Sequence, residues 1–160
     1  MTDRLAELRD SLTRDYEEMR AIFSRLREAD LGERTASGWT VAQVAGHIAV
    51  TPDGDMWLLD RLRKGRGAKL PGPLGFLMNT MINIGNWSRV RKFRASTRDE
   101  LLRALEDGHN KLFAYVNGLS EDELDRGGEV FQLGRFTVYE YVLRRGDHPR
   151  EHAADLRTRP

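Results

Sequence analysis

A chain of 160 residues is long enough for one domain around a single core, and its boundaries are expected at residues 1 and 160. Its 26 Lys and Arg balance 25 Asp and Glu to a net charge of +1, so the whole chain has no strong basic footprint and nucleic-acid binding is not expected. The absence of cysteine excludes disulfides, cysteine-ligated zinc and a thiol nucleophile of the protein's own.

The first residues are charged and amphipathic rather than an apolar leader. No apolar run approaches the roughly 18 residues of a membrane-spanning helix, so a cytoplasmic protein without membrane contact is expected. The predicted first helix runs from about Thr2 to Ala29. Leu5, Leu8, Leu12, Tyr16, Met19, Phe23 and Leu26 recur at three- and four-residue steps and make one apolar face. Gly32 and Gly38 mark the loop that follows.

A second helix begins at Thr40, which forms a capping-box pattern with Gln43. Val41, Val44 and Ile48 form its buried stripe, with His47 at the edge. Pro52 is expected to disrupt this helix, or to open a fresh turn capped by Thr51, before a helical pattern resumes from Met56 to Leu62. Gly65 to Pro73 reads as a linker. A third segment, about Leu74 to Phe93, is apolar at first and basic later. The basic runs Arg61 to Lys69 and Arg89 to Arg98 lack the interleaved aromatics of a nucleic-acid platform and read as solvated helix ends and loops.

A fourth helix starts at Thr97, with Glu100 as its box partner, and continues to about Asn117. Ser120 and Glu123 cap a short additional helical turn. Gly127 to Phe136 reads as a loop, with Val130 to Leu133 strand-like but too isolated to pair. The last helix opens at Thr137 with Glu140 and carries Tyr141, His148, His152 and Leu156 along one face. Pro149 disfavours the helical conformation at His148 and clashes with the carbonyl of Arg145. A kink or restart near Gly146 is therefore expected, with Asp147 as a candidate N-cap. If the restarted helix takes in His148, the i, i+4 relation to His152 survives. The pattern is all-α, a helical bundle whose histidines point inward.

A lone histidine on such a face is more often a hydrogen-bonded core or surface residue. Three of them converging on one core favour a metal, because buried imidazoles need partners. His47, His148 and His152 make a facial set of neutral nitrogen donors with an open position beside it. His109, four residues after Leu105 on the fourth helix, has no partner at ligand spacing. It reads first as structural and second as a substrate contact. Trp57 and Trp87 are candidate pocket walls, whereas Trp39 reads as core because it belongs to the helix entry. Asp53, Asp55, Asp147 and Glu151 are candidates to orient an imidazole through its second nitrogen, although each alone reads as a cap or surface charge.

Ser37-Gly38-Trp39-Thr40-Val41 followed by His47, together with His148-x-x-x-His152 and the Leu119-Ser120-Glu121-Asp122-Glu123-Leu124 turn, resembles the DinB/YfiT-like family over nearly the whole chain. The resemblance implies a four-helix bundle, a homodimer, and a divalent metal such as zinc or nickel held by the three histidines. By ligand type alone, three histidines suit zinc, nickel, iron or copper. The resemblance also implies a low-molecular-weight thiol such as mycothiol or bacillithiol, transferred to a small-molecule electrophile or used as cofactor in an isomerisation. With no cysteine in the chain, that thiol must come from outside. The competing expectations are a metal-dependent hydrolase and a bundle that binds a ligand or partner without catalysis.

Overall fold

The computed structural model describes residues 3–68, 88–130 and 133–157. Four helical limbs pack as a bundle: α1 (Arg4–Ser24), α2 (Val41–Arg63), α3 (Arg98–Asn117) and a broken fourth limb made of α5 (Val138–Arg144) and α6 (Asp147–Arg157). The short additional helix α4 (Glu121–Leu124) and a β-hairpin lie between α3 and α5. The helix starts obey local chemistry. Asp3 accepts from the Ala6 backbone, and complete capping boxes form at Thr40–Gln43, Thr97–Glu100, Ser120–Glu123 and Thr137–Glu140. Among the described residues, no helix is long and apolar enough to cross a membrane.

The bundle's apolar interior falls into two clusters. One gathers Met19, Phe23, Val44, Ile48, Leu101, Leu105, Ala153 and Leu156. The other gathers Leu8, Leu12, Leu59, Leu62, Leu112, Val116, Val138 and Val142. On every limb the residues between the two sets are polar or irregular: Asp15 on α1, Pro52 and Asp55 on α2, His109 on α3, and the Arg145–Gly146 break between α5 and α6. A polar layer thus crosses the middle of the bundle.

Three expectations need correction, and a fourth falls mostly outside the described residues. The first helix ends at Ser24 rather than Ala29, and a 3-10 turn at Glu28–Asp30 follows it. Pro52 neither breaks α2 nor starts a new turn, since the helix runs through it to Arg63. Tertiary packing overrides the local cost. Gly108 of α3 presents no side chain here, and a Cβ on it would come within 2.5 Å of the Ala49 carbonyl oxygen and 3.2 Å of Pro52 Cγ. The two helices therefore meet backbone to backbone, and that contact holds the proline in line. The Thr51 hydroxyl also donates to the His47 carbonyl, 3.0 Å away.

The expected loop from Gly127 to Phe136 is an antiparallel hairpin of β1 (Gly127–Val130) and β2 (Gly134–Thr137). Gly134 has φ +98°, a conformation open to glycine, and Val130 is buried beneath the pair. The third segment expected over Leu74 to Phe93 lies mostly outside the described residues. What is described is one helical turn over residues 88–91 and a 3-10 turn at Lys92–Ala95.

Candidate metal centre

The site begins at the entry to α2. Gly38 turns the chain with φ +84°, and the Thr35 amide donates to the Trp39 carbonyl at 2.8 Å. Thr40 then caps α2, which fixes the direction of the first two helical turns and places His47 on the face toward α6. One residue earlier, Gly46 leaves room for the Phe93 ring; a Cβ there would lie 2.2–2.6 Å from its atoms. The turn carrying Phe93 can therefore lie directly on α2 beside His47. From the other side α6 supplies His148 and His152, which its four-residue step puts on one face. The restarted helix includes His148, so the spacing survives Pro149.

The three imidazoles converge. One ring nitrogen from each of His47, His148 and His152 lies within 4.8 Å of the others. His47 Nε2 is 3.2 Å from His148 Nε2, and the rings meet edge to face with centroids 4.6–5.4 Å apart. His47 is buried at 6 % exposure, His152 is half-buried, and His148 is exposed and forms the open side. Burial and the two neighbouring histidines push the His47 pKa down to about 4. His152 is lowered by burial and His148, against the opposing charges of Asp155 and Glu151. At neutral pH His47 therefore keeps a free lone pair, which is what a metal ligand needs.

The spacing suits a transition metal. Bonds of about 2.0–2.1 Å at tetrahedral angles set ligand nitrogens about 3.3 Å apart. The His47–His148 pair already meets that value at 3.2 Å, and the nitrogen of the third ring lies within 4.8 Å of both. Two nitrogens this close need a proton between them or a cation beside them. Three imidazole donors with an exposed side make the second a coherent use of the site.

The remaining candidates lie elsewhere. Asp53 sits on the surface 3.9 Å from Lys111 Nζ. Asp147, 70 % exposed, lies 3.6 Å from Arg150. Asp147 is also the first residue of α6 rather than its cap. Asp55 is buried, but it accepts from Tyr141 Oη at 2.8 Å and Arg145 Nε at 2.7 Å, not from an imidazole. Glu151 is exposed and acts on His152 through charge. Trp57 is 51 % exposed, with the Arg61 guanidinium over its ring. Trp87 lies outside the described residues.

His109 stacks on Tyr16 with ring centroids 4.4 Å apart. Both line a cavity of about 30 Å³ in the polar layer, with Asp15, Arg145 and Pro149. Burial and Arg145 lower its pKa. A cavity of that size admits water rather than a metabolite.

Two features escape a reading of the sequence. Trp39 covers the histidines: its indole meets His47 edge-on at 5.2 Å and stacks at 6.3 Å over His152. Its place just before the Thr40 cap is where a hydrophobic staple sits, and this was the available signal. The second is the Asp15–Arg145–Arg150 group in the polar layer. Asp15 stands at helical spacing between Leu12 and Met19, inside an apolar stripe, and a carboxylate in that position signals a buried partner.

Comparison with known proteins agrees with this architecture. The crystal structure of the mycothiol-dependent maleylpyruvate isomerase superposes with a TM-score of 0.71 at 19 % identity, covering 98 % of this chain and 64 % of that one. The chain therefore spans less than two thirds of the isomerase's length. YfiT from Bacillus subtilis, described as a probable metal-dependent hydrolase with an unusual four-helix bundle topology, superposes at 0.68 with 15 % identity, covering 98 % of this chain and 86 % of its own. An uncharacterised protein from Clostridium difficile 630 gives 0.63 at 16 % identity over 96 % of this chain and 95 % of its own. At these identities the likeness is one of fold. No match is found among curated protein sequences. The family model of the DinB superfamily matches residues 11–156, nearly the whole bundle with all three histidines inside it, and the chain belongs to that superfamily.

Proposed function

We propose that this chain is a divalent-metal-dependent enzyme that takes a low-molecular-weight thiol as reactant or cofactor, with His47, His148 and His152 holding a zinc or nickel ion. The observation that carries this reading is the convergence of three imidazole nitrogens within 4.8 Å. The ion would supply Lewis acidity that favours ionisation of a thiol or of water.

The protein's own residues do the rest. His47 stays neutral at physiological pH because it is buried. The Trp39 indole shields His47 and His152 from bulk water on one side. His148, at the exposed edge, marks where reactants enter. No cysteine competes as nucleophile, so the thiol is a second substrate or a cofactor. The thiol class is suggested by the fold shared with the mycothiol-dependent isomerase. Hydrolysis is the rival reading, favoured by the greater share of YfiT's length that this chain spans.

The test loads the protein with zinc or nickel and supplies a small thiol and a chloronitroarene. In the thiol reaction a sulfur–carbon bond forms, the carbon–chlorine bond breaks, chloride leaves and the thiol proton passes to buffer. Turnover that needs both metal and thiol is expected. Turnover of an ester with metal alone, and none with the thiol pair, would establish the hydrolase instead. Failure to bind metal at all would remove both.

A further inference from the structure

The helix carrying His148 and His152 is separated from its predecessor by the break at Arg145–Gly146. A continuous helix would fix the rotation of those histidines through its own hydrogen bonds; a broken one needs an outside reference. Arg145 and Arg150 flank the break, and both reach one carboxylate on α1. Arg145 Nη1 lies 3.9 Å from Asp15 Oδ2, and Arg150 Nη2 donates to Asp15 Oδ1. Between them the Gly146 backbone lies against the same carboxylate, since a Cβ there would come within 2.4–2.7 Å of its atoms.

The outer arms of the two arginines extend the frame. Arg145 Nε donates to Asp55 Oδ2 at 2.7 Å, eight residues beyond His47 on α2, and Arg150 Nε donates to Glu18 at 2.9 Å. Asp15, Arg145 and Asp55 side chains are all 10 % exposed or less. Apolar packing alone tolerates sliding, whereas arginine–carboxylate contacts are directional. Two such hydrogen-bonded pairs, Arg145 with Asp55 of α2 and Arg150 of α6 with Asp15, are joined by the longer 3.9 Å approach of Arg145 to Asp15 Oδ2, an oxygen that accepts no hydrogen bond among the described residues.

We propose that Asp15 is a positioning residue for the three-histidine site, holding the start of α6 where His148 and His152 meet His47. This rests on the reading of those histidines as metal ligands. The three nitrogens already lie within 4.8 Å, so a shift of α6 by an ångström or two decides whether all three reach one ion.

The test measures zinc affinity by chelator competition and the visible spectrum of the cobalt(II)-loaded protein, which reads ligand number and geometry. Asp15→Asn keeps the side-chain shape and removes the charge. Groups that orient ligands from outside the coordination shell typically change metal affinity by about 10–100-fold. Asp15→Asn is expected to weaken zinc binding by about 10-fold or more and to alter the cobalt spectrum. Arg150→Gln, at a half-exposed position, should reproduce part of the loss, and the double variant should lose little more than Asp15→Asn alone.

Arg4→Gln serves as the control. It breaks the surface pairs of α1 with Glu121 and Asp125 far from the break, and should leave affinity and spectrum unchanged. If Asp15→Asn does not fold, Arg150→Gln decides. Wild-type affinity and spectrum in the folded Asp15 variant, or in Arg150→Gln where that variant decides, would overturn the positioning role while leaving the metal site standing. Wild-type protein that takes up neither zinc nor cobalt would overturn the metal reading and this inference with it.

Discussion

The three-histidine cluster and the polar layer are polar assemblies that share α2 and α6, and they handle charge in opposite ways. In the layer every charge faces an opposite one. Arg145 lies between Asp55 and Asp15, Arg150 lies between Asp15 and Glu18, and the Tyr141 hydroxyl completes Asp55. In the cluster the imidazoles face one another, and among the described residues none hydrogen-bonds to a carboxylate. A charge-paired assembly, here with only Asp15 Oδ2 accepting no hydrogen bond among the described residues, is suited to holding helices in place. An uncompensated one, open at His148, is suited to taking something in.

The sharpest way to break this contrast is to remove one member from each region. His47→Ala should abolish metal uptake: outer-shell changes cost about 10–100-fold, so loss of a ligand costs more. The metal-free protein should nonetheless keep its helical circular dichroism, because no partner charge is stranded. Retention of one metal per chain in His47→Ala would show that the cluster is not the site. In the layer, Asp55→Ala takes from Arg145, 8 % exposed, its hydrogen-bonded partner and leaves it only Asp15 at 3.9 Å, and breaking a buried pair costs about 3–5 kcal/mol. Chemical denaturation should show that loss. A cost below about 1 kcal/mol would mean that Arg145 reaches water instead.

The two regions were also unequally legible. Capping boxes are local, and Thr40–Gln43, Thr97–Glu100 and Thr137–Glu140 form as their spacing predicts. The step from His148 to His152 is equally local, and the restart at Asp147 preserves it. Pro52 misleads because its fate depends on Gly108 of another helix, 56 positions away in sequence on α3. The hairpin misleads because strands of four residues carry too little pattern, and pairing Gly127 with Thr137 is visible only once they meet. Asp15 and Arg145 look like ordinary surface charges until the apolar stripe around each is drawn. Trp39 reads as core because its position before the Thr40 cap already accounts for it, and its contact with His47 and His152 is visible only in the fold.

The cluster should also announce itself through pH. In the metal-free protein the His47 pKa lies at about 4, below its ordinary value of 6.5. Above about pH 6.5 the histidine is neutral in both folded and unfolded chains and costs nothing. Between pH 6.5 and 4 the unfolded chain takes up a proton that the folded one refuses, so stability falls as pH falls, by about 3 kcal/mol at most. His152 and His109, also lowered, add loss of the same sign. Asp15 is raised because burial outweighs the pull of Arg150 and Arg145, and it contributes the opposite sign. Comparing wild type with His47→Ala removes most of these shared contributions. The variant should lose less stability between pH 7 and 4.5. Equal losses in both would place the titration elsewhere.

The smallest effect tests the boundary of the site. Asp53 lies on the same helix as His47 and is an attractive carboxylate by sequence, yet it stands at the surface, 3.9 Å from Lys111. Both side chains are more than half exposed, so solvent screens the pair, which contributes about 0–1 kcal/mol. Asp53→Ala should accordingly leave zinc affinity unchanged and shift the unfolding midpoint by only a degree or two. A severalfold loss of affinity would mean that Asp53 swings inward when the ion binds. The histidine cluster would then draw its compensating charge from the surface after all, and the division between a charge-paired polar layer and an open metal site would rest on the ion rather than on the chain.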